Sequence, residues 1–76
     1  MKIIILGAGR VGQSVAESLV SERNDITVID TDADRLRELE AHLDLRGVVG
    51  NGIDPAVLAE AGAKDTDILI ACAAQD

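Results

Sequence analysis

Six residues near the start of the chain, Gly7-Ala8-Gly9-Arg10-Val11-Gly12, have the types and spacing to hold a phosphate rather than to break a bond. They follow directly on the apolar run Ile3-Ile4-Ile5-Leu6, and Asp30 lies eighteen positions beyond Gly12. A strand that runs into a glycine turn, opens a helix and is followed one βα unit later by an acid is an arrangement that binds a dinucleotide. Each glycine has a separate expected task. Gly7 permits the tight turn out of the strand. Gly9 has no Cβ, so a pyrophosphate can approach the backbone, and Gly12 lets the helix lie close to the sheet. Unpaired N–H groups and the positive end of the helix dipole would then face the phosphates.

Asp30 is placed to accept hydrogen bonds from both hydroxyls of an adenosine ribose. A 2′-phosphate would be repelled there, which favours NAD over NADP. The plainer reading makes Asp30 one more acid near a helix start, beside Asp32 and Asp34. Arg10 could reach a phosphate oxygen with its planar fork, or be a solvated arginine beside a loop whose phosphate contacts come from the backbone. Asn51 could face an adenine edge or simply serve a turn.

Residues that could do bond-making chemistry are few. His42 falls near a helix C-terminus, where the dipole favours a cation. Cys72 has no basic neighbour in sequence to lower its pKa, so it reads as a small core residue. Asp65 and Asp67 read as loop acids. There is no Ser/His/Asp set at recognisable spacing, no paired Cys/His metal spacing and no Walker lysine.

The elements that must position these residues follow from hydrophobic periodicity. Lys2–Leu6 reads as a strand buried on both faces. A helix is expected from about Arg10 to Glu22, with Val11, Val15 and Leu19 as its apolar stripe, widened by Ala16 and Val20. Asn24-Asp25 signals a turn. Ile26–Ile29 is a second strand ending at Asp30. Thr31 or Asp32 caps a second helix to about His42, striped by Leu36, Leu39 and Leu43. Leu45–Val49 is a third strand, and Gly50-Asn51-Gly52 a loop. Asp54-Pro55 starts a third helix that Gly62 stops after about Ala61. Ile68–Ala71 is a fourth strand. Alternation of strands and helices with short, right-handed connections predicts an α/β, three-layer Rossmann-like parallel sheet in the order 3-2-1-4. The sequence stops soon after the fourth strand, which leaves an apolar edge. Residues 1–76 are therefore expected to be the N-terminal part of a dinucleotide-binding domain, or a chain whose partner covers that edge.

Composition narrows the function classes. With 76 residues there is room for one domain, and a domain this small buries only about 60% of its unfolded surface. There is no Phe, Tyr or Trp, so Ile, Leu, Val and Ala must build the core. Lack of aromatics also removes base-stacking platforms. A net charge of −7, from seven basic and 14 acidic side chains, argues against nucleic-acid binding. No apolar run approaches the ~20 residues needed to cross a membrane, and no signal peptide is visible. A single cysteine excludes an internal disulfide, which fits a reducing compartment.

With these residues in place, the chain resembles the N-terminal nucleotide-binding domain of the Trk potassium-uptake regulators, the TrkA-N or RCK/KTN family. The resemblance covers essentially the whole sequence. It rests on MKIIILGAGRVG, on NDITVIDTDADRLREL around Asp30, and on GNGIDPAVLAEAGAKDTDILIA, the most specific of the three. It implies regulation without catalysis. Family members form a cytoplasmic assembly, a homo-oligomer, at the inner face of the membrane on a potassium transporter or channel. Bound NAD(H), or ATP and ADP in some relatives, biases that assembly's conformation. Carried onto this chain, Gly7, Gly9, Arg10 and Gly12 would bind the pyrophosphate, Asp30 the ribose, and Asn51 would lie near the adenosine. The full expected cofactor-binding set adds Ala8, Val11, Thr31, Gly52 and Ala73. Three alternatives remain open at this level: an ATP/ADP-sensing domain, the cofactor half of an NAD-dependent dehydrogenase, and a protein-interaction module that keeps the glycine turn only as structure.

Overall fold

A computed structural model describes residues 1–20 and 22–72. Its elements are β1 (Lys2–Leu6), α1 (Arg10–Val20), β2 (Asp25–Asp30), α2 (Ala33–His42), β3 (Arg46–Val49), α3 (Pro55–Glu60), a short 3-10 turn (Ala63–Asp65) and β4 (Ile68–Ala71). The strands form one parallel sheet in the order β3-β2-β1-β4. The expected Rossmann-like order is therefore the observed one.

Strand β1 lies in the middle because its sequence can be buried on both faces. Ile3 and Ile5 join Ile26 and Val28 on one face, where α1 and α2 cover them through Ala16, Leu36 and Leu39. Ile4 joins Ile29 and Val48 on the other, against Val57, Leu58 and Ala61 of α3 and its end. Pairing Ile3 with Ile26 and Ile5 with Val28 keeps each apolar set on its own face, so the register is fixed by the alternation. Among the described residues β4 pairs with β1 alone, and Ile68 and Leu69 are exposed along this edge.

The helix starts follow local chemistry. Asp32, not Thr31, is the N-cap of α2, and its carboxylate accepts from the amides of Asp34 and Arg35. Asp54 caps α3 from the position before Pro55, and Gly62 follows in the left-handed region. Helix α1 stops at Val20, short of the expected Glu22. The Asn24 side chain donates to the Leu19 carbonyl at 3.0 Å and closes that end. The turn falls at Glu22-Arg23, and Asp25 is the first residue of β2, opposite Lys2. The 3-10 turn is additional to the expected elements. It follows Gly62 and is tied by Thr66, whose hydroxyl donates to the Gly62 carbonyl at 2.9 Å.

One member of the expected α1 stripe is displaced. Val11 is 52% exposed, while Gly12 and Ala16 face the sheet. In the first turn the inward position is taken by a glycine, so the valine beside it has nothing to pack under. Leu36→Ala should lower stability by about 2–5 kcal/mol, as for other buried leucines. Val11→Ala should change it by less than about 0.5 kcal/mol. Urea unfolding of both variants checks this; equal losses would overturn the assignment of the inward face.

Candidate nucleotide site at the glycine turn

The site is built where β1 ends. The Gly7 amide extends the β1–β2 ladder by donating to the Ile29 carbonyl at 2.8 Å. Gly7 has φ +109°, which side-chain-bearing residues rarely adopt, and a Cβ there would lie 2.8 Å from the Cys72 carbonyl oxygen. Cys72 is itself fixed by its amide, which donates to the Leu6 carbonyl at 2.8 Å. The turn is thus held between β2 on one side and the residue after β4 on the other.

Gly12 is required for a reason closer to the turn than the expected helix–sheet packing. A Cβ on Gly12 would collide with the carbonyl of Gly7, whereas the Ile5 side chain of the sheet lies at ordinary contact distance, 3.7 Å. The helix enters so steeply that its first turn rests on the turn that launched it. The Gly9 carbonyl accepts the first helical bond from Gln13 at 2.8 Å. Amides of the first turn, among them those of Val11 and Gly12, therefore have no intrahelical carbonyl. No acidic side chain lies in that first turn to compete for them. An anion meeting this end of α1 finds oriented donors and the positive end of the dipole.

Ala8 differs from expectation. Its side chain is 4% exposed and belongs to the core cluster beneath α1 and α2. Its amide donates to Asp30 Oδ2 at 2.6 Å, so it is not among the donors left for a phosphate. Asp30 stands at the end of β2, as the sequence places it, and its second oxygen accepts from the Asp32 amide at 2.8 Å. Its backbone carbonyl accepts from Gly50 at 2.9 Å, which draws the loop after β3 to the same end of the sheet. Thr31 is exposed directly beside it.

In that loop, Asn51 serves the turn. Its Oδ1 accepts from the Ile53 amide at 3.1 Å and its carbonyl from Asp54 at 2.9 Å. The side chain is exposed and its NH2 group is not needed for the turn. Gly52 crosses over β1, where a Cβ would stand 3.1 Å from the Leu6 side chain. Gly7, Gly9, Arg10, Val11, Gly12, Asp30, Thr31, Asn51 and Gly52 are consequently all at the C-terminal end of the sheet, on three neighbouring connections. Ala73 lies outside the described residues.

An open groove of about 440 Å³ runs between α1 and α2, lined at one end by Ala8, Gly9 and Arg10 and further along by Arg35, Leu39 and His42. It touches the glycine turn but includes neither Asp30 nor Asn51. The predicted residues are gathered instead at the C-terminal ends of the strands. His42 sits at the end of α2, with Nδ1 donating to the Glu38 carbonyl at 2.9 Å, as its place near a helix terminus suggests. Cys72 packs against the core cluster. Among the described residues no group of three or more His, Cys, Asp or Glu could hold a metal ion. None of their helices is long and apolar enough to cross a membrane.

The contact between Gly12 and the Gly7 carbonyl gives a direct test. Gly12→Ala must push the helix off the turn, with an expected loss of about 1–3 kcal/mol from overpacking. A melting temperature equal to that of the original chain would show that the turn has room to move.

Comparison with known proteins agrees with this geometry. A sequence model of the TrkA-N domain matches residues 3–76. The chain is 65% identical over 71 residues to the Trk system potassium uptake protein TrkA of Halomonas elongata, covering 93% of this chain and 16% of that protein. Its identity to the protein of the same name from Vibrio alginolyticus is 62% over 71 residues, with the same two coverages, 93% and 16%. A TrkA homolog of Methanothermobacter thermautotrophicus is 33% identical over all 76 residues, which is 35% of its length. Among solved structures, the Shewanella denitrificans Kef CTD in AMP-bound form superposes with a TM-score of 0.77 at 26% identity, covering 91% of this chain and 40% of that one. The chain therefore spans well under half the length of these relatives. A glycine turn, an acid at the end of β2 and the Asn51 loop on one parallel sheet, matched from end to end by that domain's sequence pattern, make this chain a member of the TrkA-N domain family.

Proposed function

We propose that this chain binds NAD(H) as a regulatory ligand within a potassium-uptake assembly and performs no bond-breaking chemistry of its own. One observation carries the reading: the first-turn amides of α1 and the Asp30 carboxylate meet at one end of the sheet, donors for a pyrophosphate beside an acceptor for a ribose. Gly7, Gly9, Arg10, Val11 and Gly12 would surround the pyrophosphate. Asp30 would take the ribose hydroxyls with Thr31 beside it, and Asn51 and Gly52 would border the adenosine. The AMP-bound state of the Kef CTD supports an adenosine phosphate on this fold. The names of the TrkA relatives support potassium uptake as the process served.

In this reading the partner is a membrane potassium transporter or channel. The domain works on the cytoplasmic side as part of a homo-oligomer. Ligand acts by population shift: it must bind two states of the assembly with different affinities, because equal affinity shifts nothing. A second reading, an ATP/ADP sensor, is favoured by the AMP of the Kef structure. Asp30 suits any ribose with both hydroxyls free.

Titration calorimetry with NADH, NADPH, ATP and ADP at one salt concentration separates these readings. NADH is expected to bind tightest, and NADPH at least about tenfold weaker because its 2′-phosphate would face the Asp30 carboxylate. Tightest binding of ATP would overturn the NAD assignment in favour of the sensor. Gly9→Val should abolish nucleotide binding yet leave the fold intact. Gly9 is not among the positive-φ glycines, so its backbone accepts a side chain. Normal binding by that variant would remove the phosphate from this turn.

A further inference from the structure

Asp30 has two hydrogen bonds that a residue reserved for ribose would not need. Oδ2 accepts from the Ala8 amide at 2.6 Å, and Oδ1 accepts from the Asp32 amide at 2.8 Å. Ala8 is the residue between the first two glycines of the turn, and its side chain is anchored in the core. Asp32 is the cap of α2. One carboxylate thus ties the phosphate-facing turn to the start of the next helix. A carboxylate suits this place because both incoming groups are donors and it carries only acceptors. Hydrogen bonds to an ionised acceptor are shorter and about twice as strong as neutral ones.

The two amides do not exhaust the group. An ionised carboxylate offers roughly four lone-pair sites, so two remain for a ribose. Holding the turn and receiving a sugar are compatible.

We propose that Asp30 is a positioning residue for the glycine turn: by holding the Ala8 amide it sets the turn in its anion-receiving conformation before any nucleotide arrives. The inference rests on the reading that a nucleotide phosphate sits on this turn. Its consequence is specific. Asp30 must contribute to the binding of a nucleotide that has no ribose hydroxyls for it to recognise.

The test compares ADP with 2′,3′-dideoxyADP on the original chain, on Asp30→Asn and on Asp30→Ala. Titrations are made at a temperature where circular dichroism shows each chain folded, so a general loss of stability does not enter. Asp30→Asn is nearly isosteric and keeps a neutral acceptor, so it remains informative if the alanine variant fails to fold. Asp30→Asn is expected to weaken 2′,3′-dideoxyADP by about tenfold, the size of one charge-assisted hydrogen bond. ADP should lose more than this, through its ribose contacts. Faster exchange of the Ala8 amide proton should accompany the loss, with that of Val28 in β2 unchanged. If Asp30→Asn weakens ADP but leaves 2′,3′-dideoxyADP unchanged, the positioning role is overturned and the ribose contact stands alone. If the original chain binds neither nucleotide nor NADH, the nucleotide reading itself has failed.

Discussion

Strand β1 must be paired along both edges and covered on both faces, and the rest of the molecule is arranged to satisfy it. Four apolar residues in a row, Ile3–Leu6, of which the three isoleucines are buried, require cover on both faces. Two helices must therefore pack on one face and a third on the other, and a strand must pair on each edge. Burial of β1 ends where its backbone emerges from the core at the C-terminal end of the sheet. The glycine turn is what emerges. A site at this position is a result of how the strand is buried, because the chain has to reverse there within three residues and launch α1 directly above.

That geometry explains why the turn tolerates so little change. Gly7 is packed on the Cys72 carbonyl, Gly12 on the Gly7 carbonyl, and the Ala8 amide on the Asp30 carboxylate. Each of these contacts is made by backbone on at least one side, and backbone cannot rotate away as a long side chain can. The pyrophosphate proposed for this surface would meet donors already fixed in direction, which lowers the ordering cost of binding.

Much of this was legible in the sequence. The Ile-rich run, the spacing of the glycines and the acid after the second strand were enough to order the sheet and to locate the turn. Leu36 and Leu39 of the α2 stripe are buried as read, whereas Leu43 is the extended C-cap of α2 and packs half-buried on the same core cluster. What escaped were contacts that depend on which of several equivalent groups the fold brings near. Fourteen acidic side chains are present, and nothing local distinguishes Asp67. In the fold its carboxylate accepts from the Lys2 amide at 2.8 Å and helps fasten β4 to β1. Helix α1 ends earlier than its period implies because the Asn24 side chain reaches back five residues to the Leu19 carbonyl, a bond that periodicity does not register. Val11 is exposed because Gly12 takes the inward position in the first turn of α1. The retention of Ala8 by Asp30 crosses 22 positions and is invisible until both strands are in place.

The pairing of β4 carries a kinetic implication. Ile3 meets Ile26 across a short stretch of chain, but Lys2 and Asp67, at the start of the β1–β4 pair, are 65 positions apart. Closing the longer loop costs about 1 kcal/mol more chain entropy than closing the shorter one. Strand β4 recovers that cost with few buried side chains, since Ile68, Leu69 and Ala71 stay exposed. The same strand delivers the Cys72 carbonyl that walls the glycine turn. The glycine turn is thus completed by the most distant and least buried pairing in the sheet. Detaching β4 would therefore take the Cys72 carbonyl away from the turn while the β1–β2 and β2–β3 pairings stayed as they are.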